Sequence, residues 1–403
     1  MVNVITTENV KELLIHDYEE GDFFLSSPSG TMLGKGILKI MSDDESELQH
    51  NRLSEGVKLA LEEAKTKGIS NPVAVGAIPF DPKNNVPQFF IPESVKFSKP
   101  DYMKNAVQEG NSSLDSYEMQ PIPLPQEYVE GVKKGLDYIK DGNLDKIVLA
   151  RSVKYQSKSE INKKKILENL LQYNTGGYTF AIDLMNDISA GSKENGKRTF
   201  MGASPELLVS KTDNKMIANP LAGSRPRSED PIEDKRRAKE LLQSAKDLHE
   251  HAVVVEAIRE ELKSLCTNLI VPEKPSVIKT ETMWHLSTVI TGELVDSNAT
   301  SLDLTLALHP TPAVCGYPRE NAYQAINEIE PFDRNYFTGV VGWCDEAGNG
   351  EWIVAIRCAE IEKNSITLFA GAGIVAGSEP EEELKETSAK MRTMINAMGL
   401  QDS

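Results

Sequence analysis

The chain has 403 residues, 39% hydrophobic and 26% charged, with 44 Lys and Arg against 61 Asp and Glu for a formal net charge of -17. This is the composition of a globular protein, and no window approaches the ~18 consecutive apolar residues that a membrane span needs. The acidic balance argues against a nucleic-acid partner, whose phosphates call for clustered Lys and Arg.

A mixed fold built on large sheets can hold this length as one unit, expected here over residues 1–403. The start, Met1 to Glu8, lacks the basic and apolar regions of a signal peptide, so a cytoplasmic location is expected. Cys266, Cys315, Cys344 and Cys358 lie far apart without CxxC spacing, which favours buried free thiols over a zinc site or disulfides.

Residues 1–100 alternate short β-rich pieces, such as Phe23-Phe24-Leu25 and Val73-Ala74-Val75, with a helix from Leu53 to Ala64, and read as one sheet half. Residues 101–125 are polar and end in Pro121-Ile122-Pro123-Leu124-Pro125, which predicts a flexible excursion before a core over 126–403. A helix from Gln126 to Asp141 precedes strands at Ile147 to Tyr155, Tyr178 to Met185, Phe200 to Ser210 and Lys215 to Asn219. From Ile232 to Cys266 apolar residues recur at Leu241, Ala245, Leu248, Ala252, Val255, Ile258, Leu262 and Leu265, which predicts one long helix with a single buried stripe. Later strands are expected at Val277 to Thr282, Thr338 to Trp343, Glu351 to Ala359 and Ile366 to Ala370, with a hairpin turn at Ala347-Gly348-Asn349-Gly350. Strands grouped in hairpins favour an α/β (α+β) fold of mainly antiparallel sheets wrapped by helices over a doubly wound parallel sheet.

Several residues could carry chemistry. Lys146 opens an apolar strand, where it is either a solvated strand start or a functional amine. Glu206 is an acid between an Ala203-Ser204-Pro205 bend and Leu207-Leu208-Val209, and an apolar setting would keep it protonated. Helical projection puts Glu250 opposite the main stripe, although Ala252-Val253-Val254-Val255 suggests cover on both faces there. His249 and His251 are two apart on a helix and point away from each other, so a zinc site is rejected. Glu383 and Glu386 share a face at the opening of the last helix, with Lys390 one turn on. They are either a favourable helix N-terminal charge or hard oxygen ligands. Arg357 is the positive group in an apolar strand, suited to gripping a carboxylate. Gly371-Ala372-Gly373 reads as a turn whose N–H groups could approach an anion, and Leu221 to Arg227 also reads as a turn.

Lys146-Ile147-Val148-Leu149-Ala150-Arg151, Gly202-Ala203-Ser204-Pro205-Glu206, His249-Glu250-His251, Glu351 to Ala359, Phe369 to Ser378 and the acidic run from Pro380 to Thr387 together resemble the chorismate-utilising enzymes. They are most similar to isochorismate synthases of catechol siderophore pathways. The strong motifs run from about Leu124 to the C-terminus. The resemblance implies two large sheets packed as a sandwich with the active site between them, and isomerisation of chorismate to isochorismate for 2,3-dihydroxybenzoate synthesis. It implies Lys146 as general base on water and Glu206 as acid to the departing hydroxyl. Mg2+ would be held by Glu250 and Glu386 with Glu383 beside them, which resolves the tension between a dicarboxylate substrate and an acidic chain. Gly223 and Ser224 would frame the ring carboxylate, and Arg357, Gly371 and Gly373 the enolpyruvyl carboxylate. His285, Ala313, Phe337, Ile356 and Lys390 would border the substrate, and His309 is expected to be structural. Aminodeoxychorismate synthases carry a nucleophilic lysine where this chain has Ala222, so that covalent route is not expected. The alternatives are a salicylate synthase, a menaquinone-pathway isochorismate synthase, an anthranilate synthase-type subunit and a chorismate-binding regulator. A monomer without a glutaminase subunit is expected.

Overall fold

The computed structural model describes residues 14–41, 52–82, 85–99, 117–174, 176–184 and 198–400. Two large sheets dominate. The ten-stranded sheet runs from Gly316–Tyr317 through Lys146–Ser157, Ser365–Val375, Cys358–Ile361, Arg198–Ser204, Tyr178–Leu184, Phe23–Ser27 and Gly30–Lys35 to Ser94–Ser98, and Tyr117–Ile122 also pairs with Lys146–Ser157. The nine-stranded sheet runs from Cys266–Ile270 through Ile290–Leu294, Lys215–Asn219, Leu207–Thr212, Gly350–Val354, Val340–Asp345, Val73–Ile78 and Gln88–Ile91 to Lys39–Ile40. The pairings are antiparallel, the longest joining Lys146–Ser157 to Ser365–Val375 along the full length of the latter. A third sheet of three strands, Leu221–Pro226, Met283–Ser287 and Ser276–Lys279, was not anticipated.

Side-chain alternation builds the layers. Along Tyr178–Leu184, Phe180, Ile182 and Leu184 point into the core between the sheets, where they join Phe23, Phe200, Val75, Val341 and Ile353, while Ala181 points to the outer layer. Helices Lys163–Tyr173 and Pro380–Ala397 cover the outer face of the larger sheet through Leu167, Leu170, Met391 and Met394. Leu53–Thr66, Ala245–Lys263 and Ser301–Leu308 cover the other sheet through Leu61, Ile258 and Leu304. With both faces covered, a strand such as Lys146–Ser157 buries nearly every residue, which explains its continuous apolar run. All four cysteines are buried and free.

Five expectations are corrected. The predicted helix from Ile232 to Cys266 is two helices, Pro231–Leu241 and Ala245–Lys263, because Ser244 caps the second by accepting from the Asp247 N–H. The Phe200 to Ser210 run leaves one sheet at Ser204 and enters the other at Leu207. The Glu351 to Ala359 run does the same in reverse, so Arg357 lies in a corner at φ 52° and not within a strand. Both glycine-bearing turns are strands: Gly371 and Gly373 pair with Ala150 and Val148, and Leu221–Pro226 pairs with Met283–Ser287. Of the expected excursion, 101–116 lie outside the described residues, whereas Tyr117–Ile122 is an ordered strand.

Candidate functional site

The two corners where the chain changes sheet are neighbours. Ala203 N–H donates to Arg357 O at 3.0 Å, and Val354 N–H donates to Glu206 O at 3.1 Å. Bending out of the ladder there puts Glu206 and Arg357 on the wall of one cavity between the sheets.

The Glu206 carboxyl is 3% exposed and accepts one long hydrogen bond, from Leu221 N–H at 3.4 Å. Burial pushes it up to about 7, against the smaller pull of that bond and of the Lys146 and Arg357 charges. It can therefore hold a proton at neutral pH. Arg357 is also buried, with its Nη2 3.4 Å from His285 Nε2, and among the described residues no carboxylate forms an ion pair with it. Burial draws its guanidinium down to about 10, still cationic at neutral pH. Burial, with the Arg357 and Lys390 charges, drives His285 well below its ordinary value, leaving a neutral imidazole.

Helix Ala245–Lys263 brings Glu250 to the opposite wall. Its buried face is Asp247, Glu250 and His251, Val254, Ile258 and Leu262, so Ile258 and Leu262 of the expected stripe are buried, whereas Ala245 and Ala252 are exposed and Glu250, expected opposite the stripe, is covered. Polar members are tolerated on that face because each has a partner. His251 bridges Ala222 O at 3.1 Å and Thr288 Oγ1 at 2.7 Å, and Asp247 accepts from Arg225 Nη2 at 3.0 Å. Glu250 Oε1 lies 3.0 Å from Lys146 Nζ, whose side chain is fully buried and whose amine makes no hydrogen bond.

Helix Pro380–Ala397 supplies the remaining charges. Glu386 Oε1 accepts from Ser224 Oγ at 3.0 Å and pairs with Lys390 Nζ at 2.7 Å, while Lys390 also donates to Gly371 O at 2.8 Å. Burial works to raise the Glu386 carboxyl, and the Lys390 ammonium overrides it, holding the group ionised. Glu383, raised by burial and by Glu386, pairs with Lys246 Nζ at 2.6 Å. Gly223, at φ +76°, sits at a strand irregularity beside Ser224, a conformation other residues seldom adopt.

Of the residues singled out from sequence, Glu206, Gly223, Ser224, Glu250, His285, Ala313, Phe337, Ile356, Arg357, Gly371, Gly373, Glu386 and Lys390 line this one cavity. Lys146 stands behind Glu250, and Glu383 behind Lys246, rather than on the lining. The role of Gly373 differs from the expected anion turn: a Cβ there would lie 2.1 Å from Glu250 Oε1, so the missing side chain makes room for that carboxylate. His309 lies outside the lining, where its Nε2 meets Pro79 O at 2.9 Å, as suits a structural role. Sequence reasoning missed Lys246 and Thr338. Lys246 follows the Ser244 cap, the signal that could have placed it one turn before Glu250. Thr338, at φ 60°, left no trace in the sequence.

A family profile described as "Chorismate binding enzyme" matches residues 91–399. The chain belongs to the chorismate-binding enzyme family. The chain is 53% identical over 401 residues to isochorismate synthase DhbC of Bacillus subtilis, covering 99% of this chain and 98% of that one. It is 43% identical over 385 residues to the vibriobactin-specific isochorismate synthase of Vibrio cholerae, covering 94% and 92%. A Bacillus anthracis crystal structure assigned as a 2,3-dihydroxybenzoate-specific isochorismate synthase, DhbC, superposes with a TM-score of 0.90 at 49% identity over 96% of this chain and 99% of that one. The antiparallel sandwich described above is thus the fold of the chorismate-binding enzymes, and the cavity lies at its sheet-to-sheet corners.

Among the described residues no three His, Cys, Asp or Glu side chains already form a metal cluster. The donor set nevertheless suits a hard cation. Glu250 and Glu386 present carboxylate oxygens to the same cavity, and Gly373 leaves Glu250 free of a neighbouring Cβ.

Proposed function

We propose that this chain is an isochorismate synthase that converts chorismate to isochorismate for 2,3-dihydroxybenzoate and catechol siderophore synthesis. The observation that carries the reading is a carboxyl raised by burial to about 7, Glu206, on the wall of one cavity, with a wholly buried amine, Lys146, directly behind Glu250 on the opposite wall. Relatives named as isochorismate synthases cover nearly the whole chain, which supports the same reading.

In its unprotonated form Lys146 takes a proton from a water as that water's oxygen bonds to C2 of the ring. The double bonds shift, the C4–O bond breaks, and Glu206 gives its proton to the departing hydroxyl, which leaves as water. Atoms balance, so the step is an isomerisation. Arg357, cationic and without a carboxylate of its own, holds a substrate carboxylate, and neutral His285 fixes the guanidinium. Phe337, stacked on Phe369 at 5.2 Å, and Ile356 form an apolar wall that limits water. Glu250 and Glu386, with Glu383 beside them, would hold Mg2+, which supplies positive charge to the ring carboxylate. Ala222 leaves no amine for a covalent aminating route. The reading includes a cytoplasmic monomer working without a glutaminase subunit.

Incubation with chorismate in ammonia-free buffer, with and without Mg2+, tests this by chromatography of the products. Isochorismate formed only with Mg2+ is the expected result. Salicylate with pyruvate, or no turnover until ammonia is added, would overturn it.

A further inference from the structure

The strand that carries Lys146 is incompletely paired. Ser365–Val375 covers one edge, but among the described residues the other edge is paired only at its ends, by Gly316–Tyr317 at Lys146 and Ile147 and by Tyr117–Ile122 from Ser152 onward. Side chains bridge the gap. Arg334 Nη2 donates to Val148 O at 2.7 Å, and Ala150 N–H donates to Glu330 Oε1 at 2.7 Å, next to a Val148 N–H that donates to Cys315 O at 2.9 Å. Arg334 and Glu330 are themselves ion-paired, and their side chains are only 2% and 3% exposed.

The guanidinium has no donor to spare. Nε and Nη2 donate to Glu330, Nη2 also to Val148 O, and Nη1 to Val314 O at 2.8 Å and Thr338 Oγ1 at 3.5 Å. Its face rests on the Phe80 ring at 4.5 Å. Val148, Val314 and Thr338 lie on three separate segments of the cavity wall, and Thr338 sits at φ 60°, a conformation that a β-branched residue keeps only when its surroundings impose it.

We propose that the Arg334–Glu330 pair is a positioning device for the reaction, standing in for the missing strand so that Lys146, the Val314 loop and Thr338 keep one spacing around the substrate. The inference rests on the isochorismate synthase reading. A lysine at 334 would supply a compact ammonium with three donors and could not span Val148, Val314 and Glu330 together. A pair that only stabilised the fold would leave the kinetics of each folded molecule unchanged.

The test compares wild type, R334K, R334A and E330Q for melting temperature, kcat and KM with chorismate and Mg2+, and chorismate affinity by calorimetry. Folded R334K is expected to lose ~10–100-fold in kcat while KM and affinity move by less than ~3-fold, since small misplacements act on the transition state. R334A should regain part of its kcat with millimolar guanidinium ion but not with methylammonium. E330Q, which keeps an acceptor for Ala150 N–H, should lose less. Wild-type kcat in folded R334K, a KM rise that accounts for its loss, or equal recovery with methylammonium would overturn the proposal. Should R334A not fold, R334K and E330Q decide the question by the same criteria. Absence of chorismate turnover by wild type would remove the parent reading first, before any variant is measured.

Discussion

Lys146 and Glu250 meet at 3.0 Å inside the protein, the lysine on the first residue of a strand and the glutamate on a helix that covers the other sheet. The lysine side chain is fully buried, so the pair couples the integrity of the site to the stability of the fold. Replacing Lys146 by Met strands the Glu250 carboxylate and should destabilise the protein by about 3–5 kcal/mol. Turnover should fall ~10²-fold or more as the base is lost. The double variant K146M/E250Q should recover much of the stability and none of the activity, read from denaturant melts beside product chromatography.

The raised carboxyl of Glu206 sets a pH dependence. The acid form is the working one, so kcat/KM should fall as pH rises through about 7, and E206Q should lose ~10²–10⁴-fold in rate together with that limb of the profile. For stability the sign is the same. A carboxyl whose folded value lies above its unfolded value stabilises fully below the unfolded value near 4.5, and this contribution is lost as pH rises through about 7. Melting temperatures of wild type minus E206Q across pH 4 to 8 should show this decline, whereas a flat difference would show that Glu206 is not held protonated by burial.

Gly373 and Gly371 lie on the same face of one strand yet should respond differently to alanine. At Gly373 the new Cβ would sit 2.1 Å from Glu250 Oε1, so the carboxylate must move. Activity should be lost, with about 1–3 kcal/mol of destabilisation from overpacking. At Gly371 the nearest atom would be 3.3 Å away, and G371A should fold with a stability close to wild type. Equal melting temperatures and equal rates for the two variants would contradict this account.

Chelation should stop turnover and Mg2+ should restore it if Glu250 and Glu386 hold the cation. Binding to the folded state alone adds about 2.7 kcal/mol at a hundredfold excess over Kd, which thermal melts can resolve. E386Q should abolish both the Mg2+-induced rise in melting temperature and the activity, and a rise that persists in E386Q would place the cation elsewhere.

Strand and helix positions were mostly legible where local pattern and tertiary demand agree. Lys215–Asn219 and the helix Pro125–Lys140 lie where periodicity put them. The misreadings fall where glycine or charge interrupts an apolar run. Gly371 and Gly373 look like a turn because glycine is rare inside strands, yet here Gly373 serves the close approach of Glu250. Arg357 reads as a strand residue because nothing local announces a corner at φ 52°.

The residue types on the wall, their order along the chain and the alternation that stacks two covered sheets are properties of the amino-acid sequence alone. Which lysine faces which glutamate, and that Glu206 is raised to about 7 while Glu386 is held ionised, are decided by tertiary structure. Burial and Coulomb fields depend on neighbours brought from distant segments: Leu221 and Lys146 at Glu206, Lys390 and Ser224 at Glu386. Pattern within a single helix or strand carries no record of those neighbours.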